Sequence, residues 1–188
     1  MRAHGSWIIH EQKELYTSEF LNLREDRVTK PDGSSGRYAT ATLKPGVAVL
    51  PVGSDGQVHL TRQFRYAVGR DSVEAPSGAI EAGESPLAAA TRELREELGI
   101  EARTWIPLGS VDVDTSIVRC SVDLFLTQDL RLTDRDQDAT EVIRPLQVAL
   151  GAAVTMVMNG QITHAPSCAL ILKAERRLRE GTDPAASR

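Results

Sequence analysis

The segment from Gly78 to Ile100 constrains the chain most, because it combines a helix signal with a high density of acidic side chains. It reads GAIEAGESPLAAATRELREELGI. Ser85 is a favourable N-cap residue, and Pro86 fits the first helical position, where its missing N–H costs nothing. Gly99 is suited to end the helix. The segment therefore predicts a Gly-rich loop followed by a helix that begins at Pro86 and stops before Gly99.

Three glutamates of this predicted helix share one face. At about 100° per residue, Glu96 and Glu97 lie within about 60° of Glu93. Beside them runs an apolar stripe of Leu87, Ala90, Leu94 and Leu98. Each like-charge pair costs a few tenths of a kcal/mol when solvated and more when desolvated. A divalent cation such as Mg²⁺, which prefers carboxylate oxygens together with water and phosphate oxygens, would relieve the repulsion. The alternative is an ordinary solvated face rich in Glu and Arg.

The rest of the chain alternates strand-like runs with turns, and two further helices are predicted near its end. The predicted strands are 7–10, 15–21, 23–29, 38–43, 47–52, 57–65, 105–114, 117–127 and 141–145. The predicted turns are 30–36 and 53–56, and the two later helices are 146–158 and 166–180, with Gly160 and Gly181 as their stops. Strands on both sides of a helix, with helices at the end, predict an α+β fold in which helices pack against a mixed sheet.

Length and charge limit the organisation and the classes of partner. The 188 residues suit a single domain over 1–180, with a β-rich N-terminal part at about 1–45 and a flexible tail at 181–188. A net charge of −4 argues against non-specific nucleic-acid binding. We expect no membrane partner and a cytoplasmic location, since the sequence shows neither a signal peptide nor a run of membrane-spanning length.

The complete spacing of the acidic segment matches a known signature. Gly78, Glu84, the run Arg92–Leu94, the pair Glu96–Glu97 and the pair Gly99–Ile100 fit Gx5Ex7REUxEExGU, where U is a bulky aliphatic residue, at every fixed position. This pattern is the Nudix box, and the chain resembles a Nudix hydrolase. The resemblance implies a mixed sheet sandwiched between helices, with antiparallel strands at the N-terminus. It also implies hydrolysis of a nucleoside diphosphate linked to another moiety.

The resemblance implies a metal site on the acidic helix face. Glu93 and Glu97 would be the main ligands and the central catalytic residues, Glu96 would share the site, and the backbone carbonyl of Ser77 would complete it. The expected ion is Mg²⁺, or Mn²⁺ in its place. Metal ions of this kind neutralise an anionic pyrophosphate and activate a water for attack on phosphorus.

Four further positions receive roles from the same resemblance. Arg92 would hold the glutamates through salt bridges, and together with Gly78 it is assigned to the substrate-binding side. Gly78 would also let the loop turn closely beside the metal. Glu84 and Gly99 are assigned structural roles, Glu84 in bracing the loop and helix and Gly99 in ending the helix in a left-handed conformation.

Sequence outside the box is similar to the ADP-ribose pyrophosphatase branch of the family. The similarity lies in VAVLPVGSDGQVHLTRQFRYAVG and VEAPSGAIEAGE. Within these runs, Arg65 is either a fork that binds a phosphate or a solvated arginine at a strand end. Glu74 either caps a loop or hydrogen-bonds a ribose or a base. By resemblance the N-terminal strands form a homodimer whose substrate site includes residues of both chains.

Two departures from that branch leave the base and the substrate open. The loop after the box carries Asp136 and Asp138, followed by Glu141, as candidates for the catalytic base, with a solvated acidic loop as the alternative. The segment 109–119 lacks the proline-containing motif that is common among ADP-ribose hydrolysers. We expect a Mg²⁺-dependent pyrophosphohydrolase for a nucleotide sugar, with ADP-ribose first. GDP-mannose, another nucleoside diphosphate derivative and a damaged nucleoside triphosphate are alternative substrates, and a sensor that binds a nucleotide without hydrolysing it is an alternative function.

Overall fold

A computed structural model describes residues 1–135 and 142–182 of the chain. The backbone divides into two compact units, one formed by Met1–Pro45 with Asp112–Ser121 and the other by Gly46–Val111 with Val122–Arg188. The strands are β1 (Arg2–His4), β2 (Trp7–Thr17), β3 (Leu21–Thr29), β4 (Ser35–Leu43), β5 (Gly46–Pro51), β6 (Gln57–Arg65), β7 (Arg70–Glu74), β8 (Ser77–Ala79), β9 (Ile100–Asp112), β10 (Val118–Arg119), β11 (Ser121–Leu132) and β12 (Arg144–Ala149). The helices are α1 (Pro86–Leu98), α2 (Leu150–Met158) and α3 (Ala165–Thr182), and a 3₁₀ turn covers Tyr66–Val68.

The first unit is built on one sheet with the strand order β1-β2-β3-β4-β10. The strands β1 to β4 are antiparallel to their neighbours, and β10 runs parallel to β4. Ile9 and Val28 face each other across β2 and β3 and are both buried, so the covered face of this sheet centres on them. The rings of Trp7 and Tyr38 pack edge to face with centroids 5.4 Å apart.

The second unit contains a sheet of order β8-β5-β11-β9 and another of order β12-β6-β7. All six residues of β5 are buried, which is typical of a strand covered on both faces. Val47 and Val49 lie in a core cluster with Ala90 and Leu94 of α1. Ala48, which lies between them, points to the opposite face, and α3 also packs against β5. β5 runs parallel to β11 and antiparallel to β8, so the first of these sheets is mixed, and the helices packed against β5 confirm the predicted α+β fold.

The helix predicted from the opening segment is confirmed in its bounds. It runs from Pro86 to Leu98, and the side chain of Ser85 accepts a hydrogen bond from the N–H of Ala88 at 3.2 Å. Gly99 follows with φ +61° and ψ 42°, a left-handed conformation that glycine adopts without strain. Local capping chemistry was therefore enough to predict this element.

Other boundaries differ from the sequence predictions. Residues 7–17 form one strand instead of two short ones, and α3 continues through Gly181 to Thr182. The strand predicted at 141–145 is instead β12, and α2 begins at Leu150 rather than at residue 146. The reason is tertiary: Leu146 to Ala149 pair antiparallel with β6, from Leu60 to Gln57, and this pairing overrides the local helical pattern.

The organisation into one domain over 1–180, with its N-terminal part at about 1–45, stays a prediction. The expected flexible tail includes residues 183–188, which lie outside the described residues. No helix within the described ranges is long and apolar enough to cross a membrane.

Candidate active site

The loop before α1 lies directly against the acidic face of that helix. Gly78 sits in β8, where Ser77 pairs with Ala48 and Gly78 with Val47 of β5. A Cβ atom built on Gly78 would fall 1.9 Å from Oε1 of Glu93, far inside van der Waals contact. Position 78 therefore has room for glycine alone while the Glu93 carboxylate keeps its place.

The three glutamates of α1 differ in burial. The Glu97 residue is 4% exposed. The side chains of Glu93 and Glu96 are 13% and 33% exposed. This gradient follows from the helix orientation, because Leu94 and Leu98 point into the core and Glu97 lies next to that apolar stripe. The acidic face is therefore partly removed from water, which strengthens every electrostatic interaction on it.

Arg92 gathers the acidic groups of the loop and the helix around one guanidinium. Its Nη1 lies 2.6 Å from Oε1 of Glu93 and 3.1 Å from Oε2 of Glu96. Its Nε and Nη2 donate to the two carboxylate oxygens of Glu84, each at 3.1 Å, and Nη2 also donates to the carbonyl of Ala79 at 3.0 Å. The hydrogen bonds with Glu84, followed by those with Glu93, raise the pKa of Arg92. Arg92 in turn lowers the pKa of the Glu84 carboxyl.

The donor chemistry of this face fits a hard divalent cation. Glu93, Glu96, Glu97 and the carbonyl of Ser77 supply only oxygen, which is what Mg²⁺ and Mn²⁺ bind. The close approach of Gly78 to Glu93 makes the space for backbone and carboxylate to lie side by side. Within residues 1–135 and 142–182, no group of three or more His, Cys, Asp or Glu side chains is already gathered to hold a metal. Arg92 contacts oxygens of both Glu93 and Glu96.

Arg65 of β6 and Glu74 of β7 form a bidentate ion pair. Nε of Arg65 donates to Oε1 of Glu74 at 3.1 Å, and Nη2 donates to Oε2 at 2.6 Å. Burial raises the pKa of Glu74, but the hydrogen bonds of Arg65, together with the charges of His164 and Arg65, outweigh burial and leave that pKa below its ordinary value. Glu74 is thus a buried, ionised group that holds the guanidinium of Arg65 in one orientation.

Ser167, which was not predicted from the sequence, lies beside this pair through its contact with His164. Oγ of Ser167 accepts a hydrogen bond from the N–H of Ala75 at 2.9 Å and lies 2.8 Å from Nδ1 of His164. His164 Nδ1 is also 3.5 Å from Oε2 of Glu74. Burial, with a smaller contribution from the charge of Arg65, outweighs the attraction of Glu74 and lowers the pKa of His164. A lone serine in an ordinary helical pattern carries no sequence signal for this contact.

The C-terminal end of α1 is held by a segment that follows β11. A Cβ atom on Gly99 would fall 2.6 Å from the carbonyl oxygen of Thr133, whose N–H donates to the Gly99 carbonyl at 2.7 Å. Arg135, also missed by the sequence analysis, donates from Nη2 to the carbonyl of Glu97. The same nitrogen donates to the carbonyl of Ile143 at 3.4 Å. These contacts fix the helix end that carries the most buried glutamate.

The three candidates for the catalytic base, Asp136, Asp138 and Glu141, lie outside the described residues. The choice among them stays a prediction. The metal and substrate roles of the described residues are likewise taken up as proposals below.

Comparison with known proteins shows the family and supports the fold. A model of the NUDIX domain matches residues 42–144. The chain is 27% identical to an ADP-ribose pyrophosphatase of Bacillus subtilis over 82% of this chain and 84% of that protein. It is 30% identical to an ADP-ribose pyrophosphatase of Mycobacterium tuberculosis over 84% of this chain and 78% of that protein. A crystal structure of an ADP compounds hydrolase superposes with a TM-score of 0.82 at 19% identity, covering 97% of this chain and 99% of that one, and supports the fold. Because the NUDIX domain model matches more than half of the residues of this chain, the chain belongs to the NUDIX domain family.

Proposed function

We propose that this protein is a metal-dependent pyrophosphohydrolase that cleaves a nucleoside diphosphate sugar, with ADP-ribose as the first candidate. The products would be a nucleoside monophosphate and a sugar phosphate. The observation that carries the proposal is the arrangement of the box, in which Gly78, Arg92 and three glutamates form one partly buried acidic face. The ADP-ribose assignment is supported by the names of two relatives that match over more than three quarters of their length.

Nudix hydrolases generally use a divalent metal ion. In this chain Glu93, Glu96, Glu97 and the carbonyl of Ser77 would hold it, and Mg²⁺ or Mn²⁺ suits these oxygen donors. Such an ion supplies charge neutralisation of the pyrophosphate and a more acidic water. Arg92 contributes by holding Glu93 and Glu96 in place, a supporting role that orients ligands.

Arg65 is proposed to contact a phosphate of the substrate. Its side chain is 37% exposed although Glu74 holds it on one edge. A guanidinium fixed by a buried carboxylate is preorganised, so it loses little side-chain entropy when it binds an anion. Glu74 also remains a candidate for a hydrogen bond to a ribose or a base, and Gly78 allows close approach of the loop.

Replacing Glu97 by Gln tests the metal assignment. The change keeps the size of the side chain and removes its charge, so we expect loss of turnover at millimolar Mg²⁺ by a factor of about 100 or more, with the fold retained. Nucleotide hydrolysis and thermal unfolding would be measured on the same preparation. Glu101→Gln is the matched control, because Glu101 is a surface residue paired with Arg131 and its loss should leave activity unchanged. Full activity in Glu97→Gln would reject the assignment.

A substrate panel tests the specificity. ADP-ribose, GDP-mannose, other nucleoside diphosphate derivatives and damaged nucleoside triphosphates would be incubated with Mg²⁺, and the products identified. Turnover fastest with ADP-ribose is expected. Faster turnover of GDP-mannose or of a triphosphate would select that alternative. Tight nucleotide binding by calorimetry without any hydrolysis would instead favour the sensor.

We also propose that the protein is a homodimer whose N-terminal strands contribute to the interface. Support comes from the resemblance noted above and from exposed apolar side chains at one end of the β2–β3 hairpin, where Tyr16 and Phe20 are 56% and 69% exposed. Sedimentation should give twice the 20.5 kDa mass of the chain. A monomer at micromolar concentration would contradict the proposal. The cytoplasmic location stays a prediction.

A further inference from the structure

A buried serine of α3 is hydrogen-bonded to the loop that leads into the box. Ser167 has no solvent exposure, and its Oγ accepts from the N–H of Ala75 at 2.9 Å, although the two residues are 92 positions apart in the chain. Ala75 is itself buried. A buried backbone N–H that loses its acceptor pays the full desolvation cost, so this contact holds Ala75 firmly to α3.

His164 orients the serine hydroxyl. Oγ of Ser167 lies 2.8 Å from Nδ1 of His164, and the hydroxyl donates in this hydrogen bond when Nδ1 carries no proton. That arrangement requires a neutral imidazole with its proton on Nε2. The lowered pKa of His164, caused first by burial, is consistent with a neutral ring near pH 7.

The hydrogen bond between Ala75 and Ser167 acts on the segment 74–77, whose other residues are held by neighbouring strands. The Glu74 carbonyl accepts from Oγ1 of Thr61 at 3.2 Å, and the Pro76 carbonyl accepts from the N–H of Val49 at 2.8 Å. Ser77 then pairs with Ala48 of β5. The contact at Ala75 is different because it comes from a helix, and it lies two residues before Ser77.

We propose that Ser167, oriented by His164, is a positioning residue that holds Ala75 and thereby sets the Ser77 carbonyl for the divalent ion. The inference rests on the proposed function, which assigns that carbonyl to the metal. Neither Ser167 nor His164 needs to contact the ion or the substrate. Their effect is transmitted through the backbone of Ala75 and Pro76.

Binding of Mn²⁺ alone, without nucleotide, tests the proposal directly. The Ser167→Ala variant should bind Mn²⁺ about fivefold more weakly, the factor that one hydrogen bond of ordinary net strength corresponds to. Free Mn²⁺ would be followed by its electron paramagnetic resonance signal. In kinetics, activity should fall at limiting metal and recover at saturating metal. An unchanged dissociation constant for Mn²⁺ in Ser167→Ala overturns the proposal.

A control separates positioning from stability. Ile171→Val also trims a fully buried residue of α3, so it should lower the melting temperature while leaving Mn²⁺ affinity unchanged. Equal weakening of Mn²⁺ binding in this control would show that general loosening of the helix is the cause, and the proposal would fail.

Variants of His164 keep the test available if Ser167→Ala does not fold. Asn at position 164 offers an oxygen near the place of Nδ1, whereas Leu offers no acceptor. Mn²⁺ affinity in His164→Asn should stay near the wild-type value and that in His164→Leu should fall. Equal affinities in the two variants would contradict the role of His164.

Failure of the inference can be distinguished from failure of the proposed function. If wild-type protein binds Mn²⁺ and Glu97→Gln does not, the metal site stands, and the Ser167 variants alone decide the positioning role. If wild-type protein binds no Mn²⁺ and hydrolyses no nucleotide, both proposals are rejected together.

Discussion

Gly78 shows how strictly one backbone position can be determined by a neighbouring side chain. A methyl group there would overlap the Glu93 carboxylate, with 1.9 Å between Cβ and Oε1. We expect Gly78→Ala to displace Glu93, lower activity by a factor of about 10 or more, and weaken metal binding. Activity and Mn²⁺ binding would be measured together.

Gly151 provides the matched control for that substitution. A Cβ atom at Gly151, in α2, meets no heavy atom within 4 Å. Gly151→Ala should therefore leave activity intact and keep or slightly raise stability, as expected for glycine replaced within a helix. Equal activity of the Gly78 and Gly151 variants would mean that the contact with Glu93 is unimportant.

Arg92 illustrates why its type as well as its charge matters. Its three nitrogens contact Glu84, Glu93, Glu96 and the Ala79 carbonyl, and a lysine ammonium cannot reach all of them from one point. Arg92→Lys should lower activity by a factor of about 10 and lower the melting temperature by a few degrees. Arg131→Lys is the control, since Arg131 makes a single exposed ion pair with Glu101. Wild-type kinetics in Arg92→Lys would argue against its role in holding the glutamates.

Sequence reasoning reached residues whose partners are close along the chain and missed those whose partners are distant. Glu93, Glu96 and Glu97 belong to one helix, so spacing alone placed them on one face, whereas the contacts of Arg92 were expected from the family resemblance. The contact between Ser167 and Ala75 depends on how α3 packs, which no local pattern encodes. The same holds for Arg135 and the carbonyl of Glu97.

At the scale of elements, α1 depends on its N-terminal cap. Ser85 accepts from the N–H of Ala88 and precedes Pro86 in the first turn. Ser85→Ala should lower the free energy of unfolding by about 1 kcal/mol. Ser85→Asp, which keeps an acceptor at the cap and adds a favourable charge at the helix N-terminus, should lose much less. Chemical denaturation of the three proteins would decide, and equal stability of all three would mean that the cap is dispensable.

Elements with strong local signals were predictable, among them the strand at 57–65, whereas segments that form strands only because of a distant partner, and very short strands, were not. The helix at 86–98 has a cap, a proline and a terminating glycine, each of which acts locally. Leu146 to Ala149 look helical in isolation but become strand because β6 offers hydrogen bonds to them. The short strands β7 and β8 were also missed, since five and three residues carry too little periodicity.

At the scale of the whole molecule, the shifted pKa values of Glu74 and His164 predict how the free energy of unfolding changes with pH. The pKa of Glu74 lies below its ordinary value of 4.5, because Arg65 and His164 outweigh the effect of burial. The pKa of His164 lies below its ordinary value of 6.5, chiefly because of burial. In both cases the unfolded chain binds the proton more readily, so stability falls as the pH drops, first below 6.5 and again below 4.5.

Two variants show which residue causes each of these two falls in stability. Glu74→Gln should lower the free energy of unfolding by about 1–3 kcal/mol at pH 7, with the difference from wild type shrinking below pH 4.5. When the pH drops from 7 to 5.5, the free energy of unfolding of His164→Asn should fall less than that of wild type. Urea denaturation at pH 7, 5.5 and 3.5 would measure both. A pH-independent difference between wild type and Glu74→Gln would show that the Glu74 charge is not what stabilises the fold.

The first unit consists of two separate stretches of the chain, and this has a consequence for proteolysis. The stretch 112–121 belongs with residues 1–45, and β10 pairs with β4 through Val118 and Ala41. The Ala41 N–H also donates to the Ile117 carbonyl, and the Tyr38 hydroxyl to the Ser116 carbonyl. A protease that nicks the backbone near Pro45 would therefore cut the chain without freeing its N-terminal fragment, which would stay attached through noncovalent bonds until the fold is denatured.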